Sequence, residues 1–307
     1  MKIAGPPASI TLKKETKVER DSASAFFSAA AFSSFWRLSI PAGTHIKGPL
    51  HITVAPEDFL IVDIGEGAEV TLVEEVTKNK KLKTKNSSHA VDLRLGERTK
   101  VAYISLSDAS QDSIVRHAAT VGREASMHWY LATLGGDNVD HVLQSEVVGE
   151  GGESGVDWLF FASGKEKMNL SVRNIFSARE GRGEVVMKGI AQDKAHAAAN
   201  GIIMIGPQGT GTDTYLTQSV LMLDATAKVD YVPALQIKTN DVKASHSASV
   251  ARVSPEDLFY FASRGIPAAE ARRMFVEGFL GEVVQRFPDK NAGKTVMDGL
   301  RDAYISG

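Results

Sequence analysis

The stretch Gly65-Glu-Gly-Ala-Glu-Val70-Thr-Leu72 carries the reading of the fold: a polar turn with glycines runs straight into a strand of alternating apolar residues. The same phrase returns as Gly96-Glu-Arg-Thr-Lys-Val101-Ala-Tyr103, Gly122-Arg-Glu-Ala-Ser-Met127-His-Trp129 and Glu153-Ser-Gly-Val156-Asp-Trp158. It returns again as Gly181-Arg-Gly-Glu-Val185-Val-Met187 and Asp224-Ala-Thr-Ala-Lys-Val229-Asp-Tyr231. The first apolar residues stand at 70, 101, 127, 156, 185 and 229, with separations of 31, 26, 29, 29 and 44. The last gap becomes regular if the unit is a half-coil of about 15 residues, because it then holds three half-coils. Val115, Val142 and Val172 fall near the expected midpoints. Period-2 strands joined by short turns at a fixed spacing are what a β-solenoid requires, since each coil buries its inner face only against its neighbours. Residues 38–253 therefore read as a mainly β core, a parallel β-helix. On spacing alone an antiparallel β-sandwich remains the alternative. No helical pattern alternates with the strands, which disfavours a βαβ fold.

Beyond the core the pattern changes period. Ser254-Pro255-Glu256-Asp257 offers an N-cap serine, a proline in the first helical position and acids in the first turn. Arg264-Gly265 supplies a stop, and Pro267 opens a second helix. In that helix Ala271, Phe275, Phe279, Val283 and Phe287 recur every four residues until Pro288. Residues 254–307 thus read as a C-terminal α-helical hairpin, with a short third piece after Asp289. On the other side, residues 1–37 form a short N-terminal segment with a charged run from Lys13 to Arg20 and an apolar one from Ala25 to Phe35.

Composition bounds the function. The 307 residues carry 35 Lys and Arg against 37 Asp and Glu, a net charge of −2, which argues against an electrostatic nucleic-acid binder. The longest apolar stretches, such as Gly201–Gly206, fall well short of the roughly 18 residues that span a bilayer. Met1 to Arg20 lacks the apolar block of a secretory signal, so a cytoplasmic protein is expected. The chain has no cysteine, which excludes disulfides, thiol nucleophiles and thiolate ligands of its own.

The chemical motifs are sparse. Gly206-Pro-Gln-Gly-Thr-Gly-Thr-Asp213 lacks the lysine and the following helix of a phosphate loop, and Gly149-Glu-Gly151 lacks the rest of a dinucleotide fingerprint, so both read as solenoid turns. None of the eight histidines has His-x-x-x-His or His-Glu-x-x-His spacing, and no local zinc motif is written. Ser245, His246, Ser247 and Asp241 do not make a hydrolase, because neighbours on a strand point to opposite faces. Trp129 and Trp158 read as solenoid core rather than as a sugar-binding row. Alternation along Val242–Val250 places Val242, Ala244, His246, Ala248 and Val250 on one apolar face, so His246 is expected to be buried and to need a partner, for which Ser219 is a candidate.

The segment from Asp224 to Ile266 resembles a known family. Val229-Asp-Tyr-Val-Pro233-Ala-Leu-Gln-Ile237, Asp241-Val-Lys-Ala-Ser-His246-Ser-Ala-Ser-Val250 and Leu258-Phe-Tyr-Phe-Ala-Ser-Arg-Gly-Ile266 are similar to consecutive motifs of the SufB/SufD core family of the SUF iron–sulfur cluster assembly system. Upstream, Lys188-Gly-Ile190, Ala199-Asn-Gly-Ile202, Thr212-Asp-Thr-Tyr215 with Leu221-Met-Leu223, Ile40-Pro-Ala-Gly43 and Gly65–Glu75 fit the same pattern. The resemblance covers about residues 38–287 and is strongest at the end.

The resemblance implies a parallel β-helix followed by helices, and a divergent SufD-like or single-type SufBD scaffold rather than an enzyme. It implies pairing with a second SufB/SufD-type subunit, as homodimer or heterodimer, through Val229–Ile237 and Val242–Val250. It also implies a SufC-type ATPase docked on the C-terminal helices, through Leu258, Phe259, Phe261, Phe275, Phe279 and Val283. No cofactor would be held stably; an iron–sulfur cluster would form transiently with partners. His246 matches the family's motif histidine and is the candidate metal or cluster ligand. Ser219, Ala244 and Ser247 stand where SufB-like members carry two cysteines and a glutamate. The family's N-terminal helical domain would here be reduced to about 37 residues. A purely structural dimerising solenoid without cluster chemistry is the alternative.

Overall fold

The computed structural model describes residues 1–4, 10–15, 32–76, 86–108 and 112–306. Most of the charged run after Glu15 and of the apolar run before Phe32 lies outside them. Eighteen strands occur among the described residues: β1 (Lys2–Ala4), β2 (Thr11–Glu15), β3 (Ser34–Ile40), β4 (His45–Val54), β5 (Asp58–Ile64), β6 (Glu69–Val76), β7 (Asn86–Leu95), β8 (Lys100–Asp108), β9 (Asp112–Val121), β10 (Ser126–Leu134), β11 (Asn138–Val147), β12 (Glu153–Ala162), β13 (Lys167–Phe176), β14 (Arg182–Ala191), β15 (His196–Ile205), β16 (Asp213–Met222), β17 (Lys228–Ile237) and β18 (Lys243–Arg252). They form two nine-stranded sheets. Even-numbered strands β4 to β18 lie side by side in one sheet, odd-numbered strands β3 to β17 in the other, and all neighbours within these runs are parallel. From β3 onward the chain therefore alternates between sheets at every turn, which is a two-sided parallel β-solenoid. This is the expected fold, and no antiparallel sandwich forms.

The half-coil arithmetic holds in detail. Val229 lies in the sheet opposite Val185, and Val115, Val142 and Val172 occupy the sheet opposite Met127 and Val156. The column is not continuous, however. Val70, Val101 and Met127 pair across strands, but Met127 then pairs with Ser154, and Val156 pairs with Trp129. The 29-residue step from 127 to 156 contains a slip of two residues, which alternation cannot reveal because it leaves every side chain on the same face.

The turns stack as closely as the strands. At one corner Gly43, Gly67, Arg98, Glu124, Gly151, Glu180 and Gly211 all have positive φ, and each donates its N–H to the turn of the next coil, as in Gly67 N–H to Glu97 O at 2.9 Å. Three non-glycine residues accept this left-handed conformation at a cost of about 1 kcal/mol each. Glycine is required earlier in the same turns: a Cβ on Gly149 would lie 2.0 Å from Arg123 N, and one on Gly65 2.4 Å from Ala42 N. The glycine-rich stretches at 149–152 and 206–211 are turns of this kind.

Between the sheets runs a continuous apolar core, from Leu38 and Ile40 through Trp129, Trp158 and Phe160 to Leu216 and Val220. Both tryptophans are fully buried, as the sequence implies. A second core lies outside the even-strand sheet, where Val73, Ile104, Leu134, Leu159, Phe161, Val186 and Ile190 meet the helices. These are α1 (Pro255–Ala262), α2 (Ala268–Val284) and α3 (Lys290–Ser306). The capping of α1 is as read: Ser254 accepts from Asp257 N–H, Asp257 reciprocates, and Gly265 takes φ 78° just beyond the end. The third piece is a full helix of 17 residues that packs on β8 and β10, so the helical region is the expected hairpin plus one more helix. It is no appendage, since α2 and α3 cover an apolar sheet face. Just beyond α2, Arg286 bonds Asp157 and Glu184 and ties the end of the helix to that face. Among the described residues no helix is long and apolar enough to cross a membrane.

Candidate functional site

The residues singled out by sequence divide between three places. His246 and Ala244 lie on β18, on the side that faces the solenoid interior, in register with Leu216 and Thr214. Ser219 and Ser247 point the other way, and Ser219 Oγ accepts a bond from Ser249 Oγ at 3.0 Å. The four positions are close in the sheet but not on one face. The expectation that His246 is buried fails: it is exposed, and Ser219 bonds Ser249 instead. Alternation placed His246 on the correct side, but β18 is the last strand of its sheet, and among the described residues no further coil covers that end.

The same holds for the whole end of the solenoid. β17 and β18 each pair with only one strand, β15 and β16, and their outer edges are free among the described residues. Val232 is 59% exposed, Val250 54% and Ile237 40%, an apolar fringe that a finished solenoid would cover. The ATPase-docking set is also divided. Phe259 is 73% exposed and Tyr260 beside it 54%, with Arg264 stacked 3.8 Å over the Tyr260 ring. Leu258, Phe261, Phe275 and Phe279 are half-buried, and Val283 is buried in the helix–sheet core.

A further cluster went unread in the sequence. Glu74 on β6, His89 on β7, His117 on β9 and His141 on β11 meet inside the solenoid, all fully buried. Glu74 Oε2 lies 3.0 Å from His117 Nε2, and Glu74 Oε1 lies 2.9 Å from His89 Nε2. His117 Nδ1 lies 2.9 Å from His141 Nε2. Burial alone would raise the Glu74 carboxyl, but the two imidazoles outweigh it and hold it well below the usual carboxylate range. Burial, with His117 and His89 nearby, pushes the His141 imidazole well down, so it is neutral. Burial and the Glu74 charge push the Tyr103 hydroxyl well up, and it stays protonated. Ligand atoms of Glu74, His89 and His117 all lie within 4.8 Å of one another, the one such trio among the described residues. No short motif encodes it, but a coil-length signal does. His89, His117 and His141 are 28 and 24 residues apart, close to one coil, and Glu74 precedes His117 by 43, three half-coils, which places it in the facing sheet. Of the other histidines, His51 and His196 pair with Glu75 and Asp230 at the surface, and half-buried His128 meets the buried Asp157.

Comparison with known proteins agrees with the sequence motifs. Residues 53–279 match the family described as SUF system FeS cluster assembly, SufBD core domain. The chain is 31% identical over 206 residues to an iron–sulfur cluster assembly SufBD family protein of Mycobacterium bovis, covering 64% of this chain and 52% of that one. It is 26% identical over 275 residues to the iron–sulfur cluster assembly protein SufD of Bacillus subtilis, covering 85% and 62%. To SufD of Escherichia coli it is 25% identical over 239 residues, covering 77% and 56%. The chain thus spans little more than half the length of the curated relatives it matches. With the solenoid, its terminal motifs and a match over most of its length in agreement, this chain belongs to the SufBD family of iron–sulfur cluster assembly proteins.

Proposed function

We propose that this chain is a cytoplasmic, non-catalytic scaffold subunit of a SUF-type complex, which pairs through the open end of its solenoid and docks a SufC-type ATPase on its C-terminal helices. The observation that carries the reading is the uncovered pair β17 and β18 with its apolar fringe, Val232, Ile237 and Val250. A second SufB/SufD-type subunit, identical or not, would continue the two sheets across that edge. His246 sits on this end as the one metal-binding side chain at a family position, and pairing would enclose it. A cluster formed there would be transient, with its thiolates supplied by a partner, because Ser219, Ala244 and Ser247 offer none. The same absence supports the second reading, a dimerising solenoid that has lost cluster chemistry.

Phe259 and Tyr260 supply an exposed aromatic face on α1 for the ATPase, to which Leu258, Phe261, Phe275 and Phe279 lend partial exposure. Val283 would support the dock from below, within the core. Deleting residues 254–307 would strip the second core from its sheet, so a point change tests the dock more cleanly. Phe259→Asp should weaken co-purification with the SufC-type ATPase at least ten-fold, about 1.4 kcal/mol, without changing thermal stability. Anaerobic co-purification with the native partners, followed by iron and sulfide analysis, tests the scaffold itself. Wild type should carry both elements and His246→Ala neither; equal loading by the two would remove His246 from the site. A complex that forms but never holds iron would favour the second reading.

A further inference from the structure

We infer that Glu74, His89 and His117 bind one divalent transition-metal ion inside the solenoid, with His141 as the residue that orients His117. The inference is independent of the scaffold reading, since the trio lies in the early coils, far along the solenoid from β17 and β18.

Three observations converge on it. The first is the donor set: two imidazole nitrogens and one carboxylate, brought together from three strands and both sheets. Nitrogen and carboxylate donors suit Zn2+, Fe2+ or Co2+ and not the all-oxygen preferences of Ca2+ or Mg2+. Three protein ligands leave a coordination position open, and no thiolate is present, so the ion is mononuclear rather than a cluster.

The second is what the groups fail to do for one another. His89 Nε2 and Glu74 Oε1 meet as a charge contact at 2.9 Å, and neither atom has a further hydrogen-bond partner in a fully buried site. Buried carboxylate and imidazole groups left in this state are costly. Metal–ligand bonds near 2.1 Å in tetrahedral geometry separate ligand atoms by roughly 3.4 Å. The contacts at 2.9 and 3.0 Å are made by the two different oxygens of Glu74, and each would lengthen by about half an ångström around an ion placed between the carboxylate and the two imidazoles, whose ligand atoms all lie within 4.8 Å.

The third is the support behind the ligands. A metal-bound histidine ordinarily anchors its other ring nitrogen on a neighbour, which sets the tautomer and the ring plane. His117 does so: Nε2 faces Glu74, and Nδ1 lies 2.9 Å from His141 Nε2, to which it would donate once Nε2 holds the ion. Trp129 and Tyr103 pack against the His117 ring at 5.5 and 5.6 Å between centroids and hold it in that plane.

The site is closed to solvent, so loading belongs to folding, and the test begins with the full chain unfolded in urea with chelator. Refolding anaerobically with Co2+ as the probe, then desalting, should leave about one Co2+ per chain with visible d–d bands, and Zn2+ in place of Co2+ should load equally. Glu74→Gln, which keeps the volume, and His117→Asn should lower retained metal at least ten-fold. His141→Phe should keep the ligands but loosen the ion and shift the Co2+ spectrum, whereas His246→Ala should retain full content. Should Glu74→Gln not fold, X-ray absorption on the Co2+-loaded wild type decides, with two imidazoles and oxygen expected in the ligand shell. Wild type that retains less than about a tenth of an equivalent, a folded Glu74→Gln that keeps the metal, or a shell without two imidazoles would overturn the inference. Loss of the metal in His246→Ala would also overturn it, by placing the ion at the open end.

Discussion

The two ends of the solenoid are finished differently. At the first coil, β1 lies antiparallel on β4 and β2 antiparallel on β3, so the edges of both sheets are covered. β2 reads Thr-Leu-Lys-Lys-Glu and presents Lys13 and Lys14 to solvent, which blunts the new edge with charge. At the last coil nothing among the described residues covers β17 or β18, and valine and isoleucine stand in the fringe. Equal chemistry, an edge of parallel strands, is thus closed off at one end and left adhesive at the other. An edge left bare in a protein that blunts its other edge is the surface that the proposed pairing would use. The interior differs in the same direction. The early coils enclose Glu74, His89, His117 and His141, whereas the last coils enclose Ala197, Ala199, Leu216 and Val220 with Gln218 bonded to Ala199 O.

The contrast is open to direct attack. The largest effect is expected at the covered end: Ile40→Ala, in the closed core, should destabilise the chain by about 2–5 kcal/mol in urea unfolding. Next comes the adhesive end, where Val232→Lys with Val250→Lys should weaken self-association or pairing about a hundred-fold, near 2.7 kcal/mol, by sedimentation. Circular dichroism should not change. Wild type that stays monomeric at micromolar concentration, alone and with its partner, would break the comparison.

The polar interior should show itself in acid. The folded pKa of His141 lies well below 6.5 and that of Glu74 well below 4.5, so the unfolded chain binds the extra proton in both cases. Stability therefore falls as pH falls: first below pH 6.5 through His141, then below 4.5 through Glu74. Each group contributes at most about 1.4 kcal/mol per pH unit. His141→Phe should flatten the slope of stability between about pH 6.5 and 5; an unchanged slope there would mean that His141 does not titrate on unfolding. The smallest effect is Val250→Ala, which should cost the monomer less than about 0.5 kcal/mol because the side chain is already more than half exposed.

Much of this was written in the chain's periodicities. Turn–strand phrases near 15 residues apart placed Val229 in the facing sheet, and Ser254 with Pro255 marked the start of α1. The third helix was underread because Asp289–Gly307 has glycines at 293 and 299 and no aromatic stripe; its apolar residues Val296 and Leu300 are held by the sheet beneath. The Glu–His–His trio was missed because its members are separated by coil lengths, whereas metal motifs are sought within one helix or turn.

What the sequence by itself determined is local: which residues alternate, where turns fall, how helices are capped, and which family's phrases they resemble. These depend on neighbours a few positions away, and short-range sterics and hydrogen bonding settle them. Register, burial and convergence were decided by the tertiary structure. The two-residue slip at Ser154 preserves every side chain's face, so no pattern records it. His246 points toward the interior as its strand requires, but it is exposed because burial depends on a further coil, and alternation along one strand carries no word of what lies beside it.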